Sequence, residues 1–542
     1  MLDLVIKNGK IVDGTGNPWF YGDVAIKDGM IVQVGNVEQE ARSVVDANRQ
    51  VVSPGFIDGH CHSDLMILKH PHSEIKLQQG VTTEVVGNCG IAPAPICGHS
   101  SKLLQDYVQP ILGDFEPRFN WSTVSEYMNF VQNSAPSGNI ATYVAHGALR
   151  IAVMGFENRP ATAQELQQMK DMLEEGMKAG AIGLSLGLMY VPGSYSTKEE
   201  IAELCSVLPK YDGLLSAHVR GEGKSLLPSL KEVIWIAEKS GVAFQASHLK
   251  SAGKRYWGQV EQAMEMIEDS RAKGHDITVD VYPYTAGSTS LTTVLPPWVL
   301  EGGIDATLER LKEPSIRKRV VQELGEEQDT WDNLVCSTGW QAVIISSLVS
   351  SKNKHLEGKS VLEVSEMRGI DPREYALDLL LEENGKVSIV YFHMSESDVD
   401  KVIKWDKSMF VSDSLTCESG KPHPRLFGTF PRVFSTYVRE KRLITLEDAV
   451  RKMTSFPAKR FKLGKRGLLL PDYRADIVIF HPDTIHDTAT YQDPMQYPDG
   501  IMDVFVNGVK TTESKTKTGA REGAMIRRDQ LGLRMNGEMT YK

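Results

Sequence analysis

Residues 54–64 read PGFIDGHCHSD, a short apolar run that closes on Gly59 and then delivers two histidines, His60 and His62. On an extended chain, side chains two positions apart face the same way, so both imidazoles can reach one point. A histidine pair that ends a strand stands where the active sites of parallel barrels lie, at the C-terminal mouth where the βα loops converge. If this is a first barrel strand, the later strands should also end in polar, chemically capable side chains.

Between residues 55 and 414 short strand-like runs alternate with helical patterns, which predicts βα units around a parallel sheet. The runs are GFIDGH (55–60), TTEVVGN (82–88), IATYVAHG (140–147), AIGLSLGL (181–188), LLSAHV (214–219), AFQASHLK (243–250), ITVDVYPY (277–284), VSIVYFHM (387–394) and SMFVSDS (408–414). These are nine candidates for the eight places of a TIM-like (β/α)8 barrel of the α/β class. Pattern leaves open whether ITVDVYPY or VSIVYFHM is the seventh strand. Segments such as TAQELQQMKDMLEEGMKAG (162–180) and SLLPSLKEVIWIAEKSG (225–241) carry apolar residues at three- and four-residue spacing and end in Gly, as crossover helices should.

Outside the barrel the pattern changes. LDLVIKNGKIVDG (2–14), DVAIKDGMIVQVG (23–35) and SVVDANRQVVSPG (43–55) alternate apolar and polar residues between turn signals, and RADIVIFHP (474–482) and GIMDVFVNGVKTT (500–512) do the same near the end. We therefore expect a β-sandwich built jointly by residues 1–54 and 466–514, flanking a catalytic barrel over 55–465. Residues 291–385 exceed one crossover and are expected as an insertion over the barrel mouth, either a lid or an inert elaboration. Residues 515–542 form a polar tail, loosely attached or packed as an arm.

The strand ends carry the chemistry. His218 in LLSAHVRGEG and His248 in FQASHLKSAG end two runs 30 residues apart, about one βα unit, so neighbouring strands would bring both rings to one ion. Cys89 ends the second run in EVVGNCGIAPAP, flanked by Gly87 and Gly90. A buried cysteine is ordinarily an inert small hydrophobe, but a strand-end thiolate is a strong zinc ligand. Asp413 ends MFVSDSLTC, a carboxylate suited to general base work. His146 and Arg220 also lie near strand ends; we read His146 as satisfying a core hydrogen bond.

Composition excludes several classes. A formal net charge of -10 and a pI near 5.8 are wrong for a nucleic-acid binder, which needs a basic face, so a small-molecule substrate is expected. Residues 1–30 lack a basic n-region and an apolar h-region, and no run of about 18 apolar residues occurs, so neither export nor membrane insertion is expected and the chain reads as cytoplasmic. Six scattered cysteines match a reducing compartment. Oligomeric state cannot be read from the sequence.

The H-x-H after strand 1, histidines after strands 5 and 6, and an aspartate after strand 8 resemble the amidohydrolase superfamily over about residues 1–510. GNCGIAPAP, GLMYVPGSYS, SAHVRGEG, SHLKSAG, YPYTAGSTSL, SDS with KPHPRLFGTFPRVF, and ADIVIFHPDTIHDTATY look like the N-acyl-D-amino-acid deacylase (D-aminoacylase) pattern. The resemblance implies that Cys89 takes the metal-bridging place of a carboxylated lysine, that Cys89, His218 and His248 hold a tightly bound zinc, and that His60 and His62 form a weaker second site. It implies hydrolysis of N-acyl-D-amino acids to a carboxylate and a free D-amino acid, with Asp413 moving the proton. Lys250 would meet the substrate carboxylate, helped by Tyr190 and by Tyr282 or Tyr284. GSTSLTTVL after YPYTA holds no cation, which points to apolar or neutral D-side chains unless Arg425 reaches the pocket. Two rival readings are a dihydroorotase- or hydantoinase-type cyclic-amide hydrolase and a catalytically silent scaffold on the same fold.

Overall fold

The computed structural model describes residues 1–115 and 119–528. Its first five strands are β1 (Leu2–Ile11), β2 (Phe20–Lys27), β3 (Met30–Gly35), β4 (Ala41–Asp46) and β5 (Val51–Pro54). They are followed by β6 (Phe56–Asp58), β7 (Val81–Val86), β8 (Asn139–Thr142), β9 (Val144–Ala145), β10 (Gly183–Gly187), β11 (Leu214–His218), β12 (Ala243–Ala246) and β13 (Ile277–Val281). Then come β14 (Ala286–Ser290), β15 (Val343–Ser347), β16 (Ser388–Phe392), β17 (Ser408–Phe410), β18 (Ile477–Phe480), β19 (Ile501–Val506), β20 (Val509–Glu513) and β21 (Thr516–Lys517).

The two ends of the chain share one nine-stranded sheet, ordered β21-β20-β19-β18-β5-β1-β2-β3 with β4 alongside β1. The join is antiparallel, β5 against β18, with Val52 opposite Ile479. Alternation explains it: Ile6, Ile26, Val52, Ile477 and Phe505 point to one face and pack in a common core.

The middle strands are parallel. β6, β7 and β8 form one run and β9-β10-β11-β12-β13-β17 another. β8 leads into β9 with only Tyr143 between them, and β17 leads back to β6: Asp413 donates its backbone N–H to the His60 carbonyl at 2.7 Å, and His62 bridges Leu415 in parallel register. Ile57, Val85, Ala141, Leu214 and Met409, from five of these strands, pack in one cluster with Tyr143 and Val411. Beneath the same seam the buried Lys76 ammonium lies 2.6 Å from Asp58 Oδ2 and 2.9 Å from Ser414 Oγ.

The expected crossover helices form. Ala163–Lys178 starts at a capping box, Thr162 with Glu165, and buries Met169, Leu173 and Met177, a four-residue spacing. Leu226–Ser240 buries Leu226, Leu230, Val233 and Ala237 and stops at Gly241, whose φ of 67° fits the left-handed cap. Each fully buried aliphatic side chain contributes about 1.5–3 kcal/mol, which fixes these helices to the sheet.

The two candidate runs join different sheets. β13, in ITVDVYPY, lies between β12 and β17 in the parallel run, whereas β16, in VSIVYFHM, pairs antiparallel with β14 and β15. This antiparallel sheet spans Ala286 to Phe392, wider than the 291–385 expected for the insertion, and has its own core around Val343, Ile345, Tyr375 and Ile389. The polar end segment packs as an arm as far as Arg528: Ile140 donates to the Ala524 carbonyl and Ile526 to the Ile140 carbonyl, at 2.9 and 2.7 Å. Residues 529–542 of the expected tail lie outside the described residues. Among the described residues no helix is long and apolar enough to cross a membrane.

Candidate metal centre

The strand ends bring the candidate residues together. Two groups of donor atoms lie within 4.8 Å of one another: Cys89 with His218 and His248, and Cys89 with His60, His62 and Asp413. Cys89 belongs to both. Its Sγ is 3.2 Å from His60 Nε2, 3.8 Å from His218 Nδ1 and 3.7 Å from His248 Nε2. Asp413 Oδ1 is 3.3 and 3.4 Å from Nε2 of His60 and His62. All six residues are buried.

Three of them hold the backbone in the left-handed region, Cys89 at φ 53°, His248 at 34° and Asp413 at 48°. Such conformations cost of order 1–3 kcal/mol each and persist where surrounding contacts impose them. The imposing contacts are visible. Asp280 Oδ1 accepts the His248 backbone N–H at 2.6 Å while its Oδ2 accepts from Gln245 Nε2 at 2.9 Å. Asp64 Oδ1 accepts the Gly87 N–H at 2.8 Å, and the Ser185 hydroxyl accepts from Gly90 N at 3.1 Å, pinning the loop that carries Cys89. That loop presses on β10 so closely that a Cβ on Gly187 would stand 1.9 Å from the Cys89 carbonyl oxygen, so only glycine fits there.

The electrostatics match the donor set. Burial pushes the Cys89 thiol up, but His60, His218 and His248 overcome it and hold its pKa well below the ordinary thiol value. Asp413 likewise sits well below the carboxylate range, because Arg425, His60 and His62 outweigh its burial. His60 is opposed by burial yet raised well above the ordinary imidazole value by Cys89, Asp413 and Asp280. Thiolate, imidazole and carboxylate converging in a buried site is the donor chemistry zinc takes. A ligating imidazole commonly turns its second nitrogen to a carboxylate; His60 Nδ1 lies 3.4 Å from Asp280 Oδ1, and His248 Nδ1 lies between Glu222 Oε1 at 3.1 Å and the Lys250 ammonium at 2.7 Å.

The remaining predicted residues divide. Lys250, Tyr190 and Tyr282 line the pocket of about 50 Å³ beside this cluster, together with His393, which the antiparallel sheet contributes. Lys250 Nζ is engaged by Glu222 Oε1 at 2.6 Å and His248 Nδ1 at 2.7 Å, and Tyr190 lies with its ring 4.9 Å from that of His218. Tyr284 is not among the lining residues: the chain turns at Pro283, with Tyr284 N donating to the Tyr282 carbonyl at 2.9 Å, and the second ring goes to His423 and Arg432 instead. Of the two tyrosines left open by the sequence, Tyr282 is the one that lines this pocket. His146 is buried, with Nε2 3.4 Å from Ser196 Oγ, and Arg220 is tied to Glu232.

Sequence reasoning missed Glu222 and Asp280. Glu222 follows His218 by four residues in LLSAHVRGEG and Asp280 sits inside ITVDVYPY; neither position announces that its carboxylate faces imidazoles. Arg425, considered only for side-chain selectivity, lies fully buried with Nη1 2.9 Å from Asp413 Oδ2. One measurable consequence follows from Asp280. Asp280→Ala frees the His248 backbone and the His60 ring together, and its zinc affinity, measured by chelator competition, is expected to fall by about 10- to 100-fold. An unchanged affinity would show that Asp280 does not position these ligands.

Comparison with known proteins places this geometry. The amidohydrolase family pattern matches residues 43–280 and 404–510, passing over the segment that holds the antiparallel sheet. The chain is 32% identical to a D-aminoacylase of Alcaligenes xylosoxydans xylosoxydans over 97% of its own length and 98% of the relative's. It is 34% identical to an N-acyl-D-glutamate deacylase of the same organism, covering 97% of each. Among solved structures, the N-acyl-D-glutamate deacylase of Bordetella bronchiseptica, complexed with zinc and a phosphonate that mimics the tetrahedral intermediate, superposes with a TM-score of 0.82 at 33% identity, covering 97% of this chain and 99% of that one.

Proposed function

Since the chain belongs to the amidohydrolase family, we propose that it is a zinc-dependent deacylase that hydrolyses N-acyl-D-amino acids to a carboxylate and a free D-amino acid. The observation that carries this reading is Cys89 standing between the His218 and His248 rings on one side and His60, His62 and Asp413 on the other. In this reading the eight parallel strand positions, β8 and β9 counting as one, close into a (β/α)8 barrel. The terminal sheet forms the flanking β-sandwich.

Cys89, His218 and His248 would hold the tightly bound zinc and His60 with His62 a weaker second ion. When bound, zinc supplies Lewis-acid polarisation of the amide carbonyl and lowers the pKa of water toward about 7. The protein's own groups do the rest. Arg425 engages Oδ2 of Asp413, so Oδ1 is the oxygen left facing the cluster. Oδ1 accepts the proton of the attacking water and returns it to the departing amine nitrogen, which cannot leave as an anion. The substrate carboxylate belongs at Lys250, where Tyr282 lies with its ring 5.6 Å from the ammonium and 4.6 Å from the Arg425 guanidinium. Tyr190 lines the same pocket beside His218 and would add a further hydrogen bond.

The cyclic-amide alternative needs a lysine in the bridging position. Here Cys89 is the residue common to both donor groups, and the buried Lys76 is held by Asp58. The relatives include deacylases named for D-glutamate and D-aspartate at 34% and 32% identity, so identity does not select among side chains. With Arg425 committed to Asp413, neutral D-side chains remain the expectation. The reading is checked by assaying the zinc-loaded protein on paired N-acetyl-D- and N-acetyl-L-amino acids, with hydantoin and dihydroorotate alongside. Release of the D-amino acid alone is expected; ring opening alone would move the chain to the rival class.

A further inference from the structure

A second cavity, of about 280 Å³, adjoins the metal pocket. The two share a wall made by Ile91, Ile111, Met189, Tyr190, Thr289 and Thr293. Beyond that wall the larger cavity is mainly apolar, lined by Leu103, Tyr107, Phe156, Leu188, Leu295 and Leu300. The helix Ser101–Leu112 supplies Leu103, the loops after neighbouring elements supply Phe156 and Leu188, and the segment after β14 supplies Leu295 and Leu300. Its acidic residues are occupied elsewhere: Asp106 and Asp305 share Lys102, and Asp332 accepts the Gly223 N–H. Arg220 on its wall is held by Glu232 and by the Ser194 and Ser196 carbonyls. An apolar space of this size next to a catalytic pocket is where substrate surface is buried.

Which part of the substrate enters it follows from connectivity. In an N-acyl amino acid the carboxylate and the side chain are borne by the same carbon, on the nitrogen side of the amide, and the acyl chain extends from the carbonyl carbon on the other side. Lys250, Tyr282 and His393 line the metal pocket and not the larger cavity. His393 is buried with no hydrogen-bond partner for its Nδ1, and Gly287, where a Cβ would lie 2.8 Å from its Nε2, leaves room for the ring, so the polar groups of the pocket gather at this end. Anchoring the carboxylate there carries the side chain to the same end. The acyl half is then directed at the shared wall formed by Ile91, Met189 and Tyr190.

Resting on the deacylase reading, we infer that the larger cavity receives the acyl chain, and that the preferred substrates are D-amino acids bearing a linear fatty acyl group of hexanoyl to octanoyl length. Acetyl is too short to reach past the shared wall. Each methylene buried in the cavity should raise kcat/KM about fourfold until the space is filled.

The experiment measures kcat/KM of the zinc-loaded protein on N-acetyl-, N-butanoyl-, N-hexanoyl- and N-octanoyl-D-alanine. A parallel series holds acetyl constant and lengthens the side chain from D-alanine to D-leucine and D-phenylalanine. Leu300→Trp and, independently, Leu103→Trp fill the cavity away from the metal cluster. The expected result is at least a tenfold gain from acetyl to hexanoyl in the unmodified protein, shrinking to threefold or less in both tryptophan variants, whose N-acetyl-D-alanine turnover is unchanged. Binding of the acetyl and octanoyl compounds to the slowed Asp413→Asn protein, followed by calorimetry, should show the same order. A flat or falling acyl series overturns the assignment, as does a gain that follows the side chain and disappears in Leu300→Trp. Failure to hydrolyse any member of either series rejects the deacylase reading itself, an outcome separate from the other two.

Discussion

In the Asp413→Asn variant kcat is expected to fall by about 100- to 10,000-fold, the range typical for loss of a positioned proton-transfer group, with one zinc per chain retained. The substitution keeps the shape of the side chain and an oxygen for Arg425 while removing the charge that accepts a proton. Zinc is retained because the trio of Cys89, His218 and His248 does not include Asp413. Initial rates and elemental analysis on the same preparation separate the possibilities. Near-normal turnover at full zinc content would remove Asp413 from the mechanism. Loss of zinc in step with turnover would make it chiefly a ligand.

The second large effect is expected for Cys89→Ala. The thiolate is shared by both donor groups, and it is the one anion in the trio. Removing it leaves two imidazoles, one of them already facing the Lys250 ammonium at 2.7 Å. Zinc affinity should fall by more than the roughly 10- to 100-fold typical of an outer contact, and hydrolysis should drop to background with the far-UV circular dichroism unchanged. Alanine suits the site sterically, since it is smaller than the cysteine it replaces and the left-handed backbone is already imposed by the neighbouring hydrogen bonds. A variant that still binds one zinc per chain with unaltered affinity would show that the metal is held without residue 89.

Both predictions rest on residues that could be found before any coordinates. Strand-end placement did that work. A periodic apolar run marks where a strand stops, and His60, His62, Cys89, His218, His248 and Asp413 each stand at or just beyond such a stop. What periodicity could not distinguish was a buried parallel strand from a buried antiparallel one, because both read as continuous apolar runs. VSIVYFHM and ITVDVYPY were therefore equivalent on paper. Their hydrogen-bond partners, β14 and β15 for one, β12 and β17 for the other, separate them.

The tyrosines show the same limit at a finer scale. Residues two apart face one way only while the chain stays extended, and the turn at Pro283 sends Tyr284 toward His423 while Tyr282 stays in the pocket.

The order and identity of the candidate metal-ligating side chains, and the strand ends that bear them, were legible in the sequence, because each depends on local periodicity and residue chemistry. The roles of Glu222, Asp280 and Arg425, the choice between Tyr282 and Tyr284, and the apolar cavity beside the cluster were decided only by the tertiary structure. Those features are contacts through space between segments far apart in the chain, and a carboxylate's effect on an imidazole depends on distance and burial, neither of which is written in its position along the polypeptide.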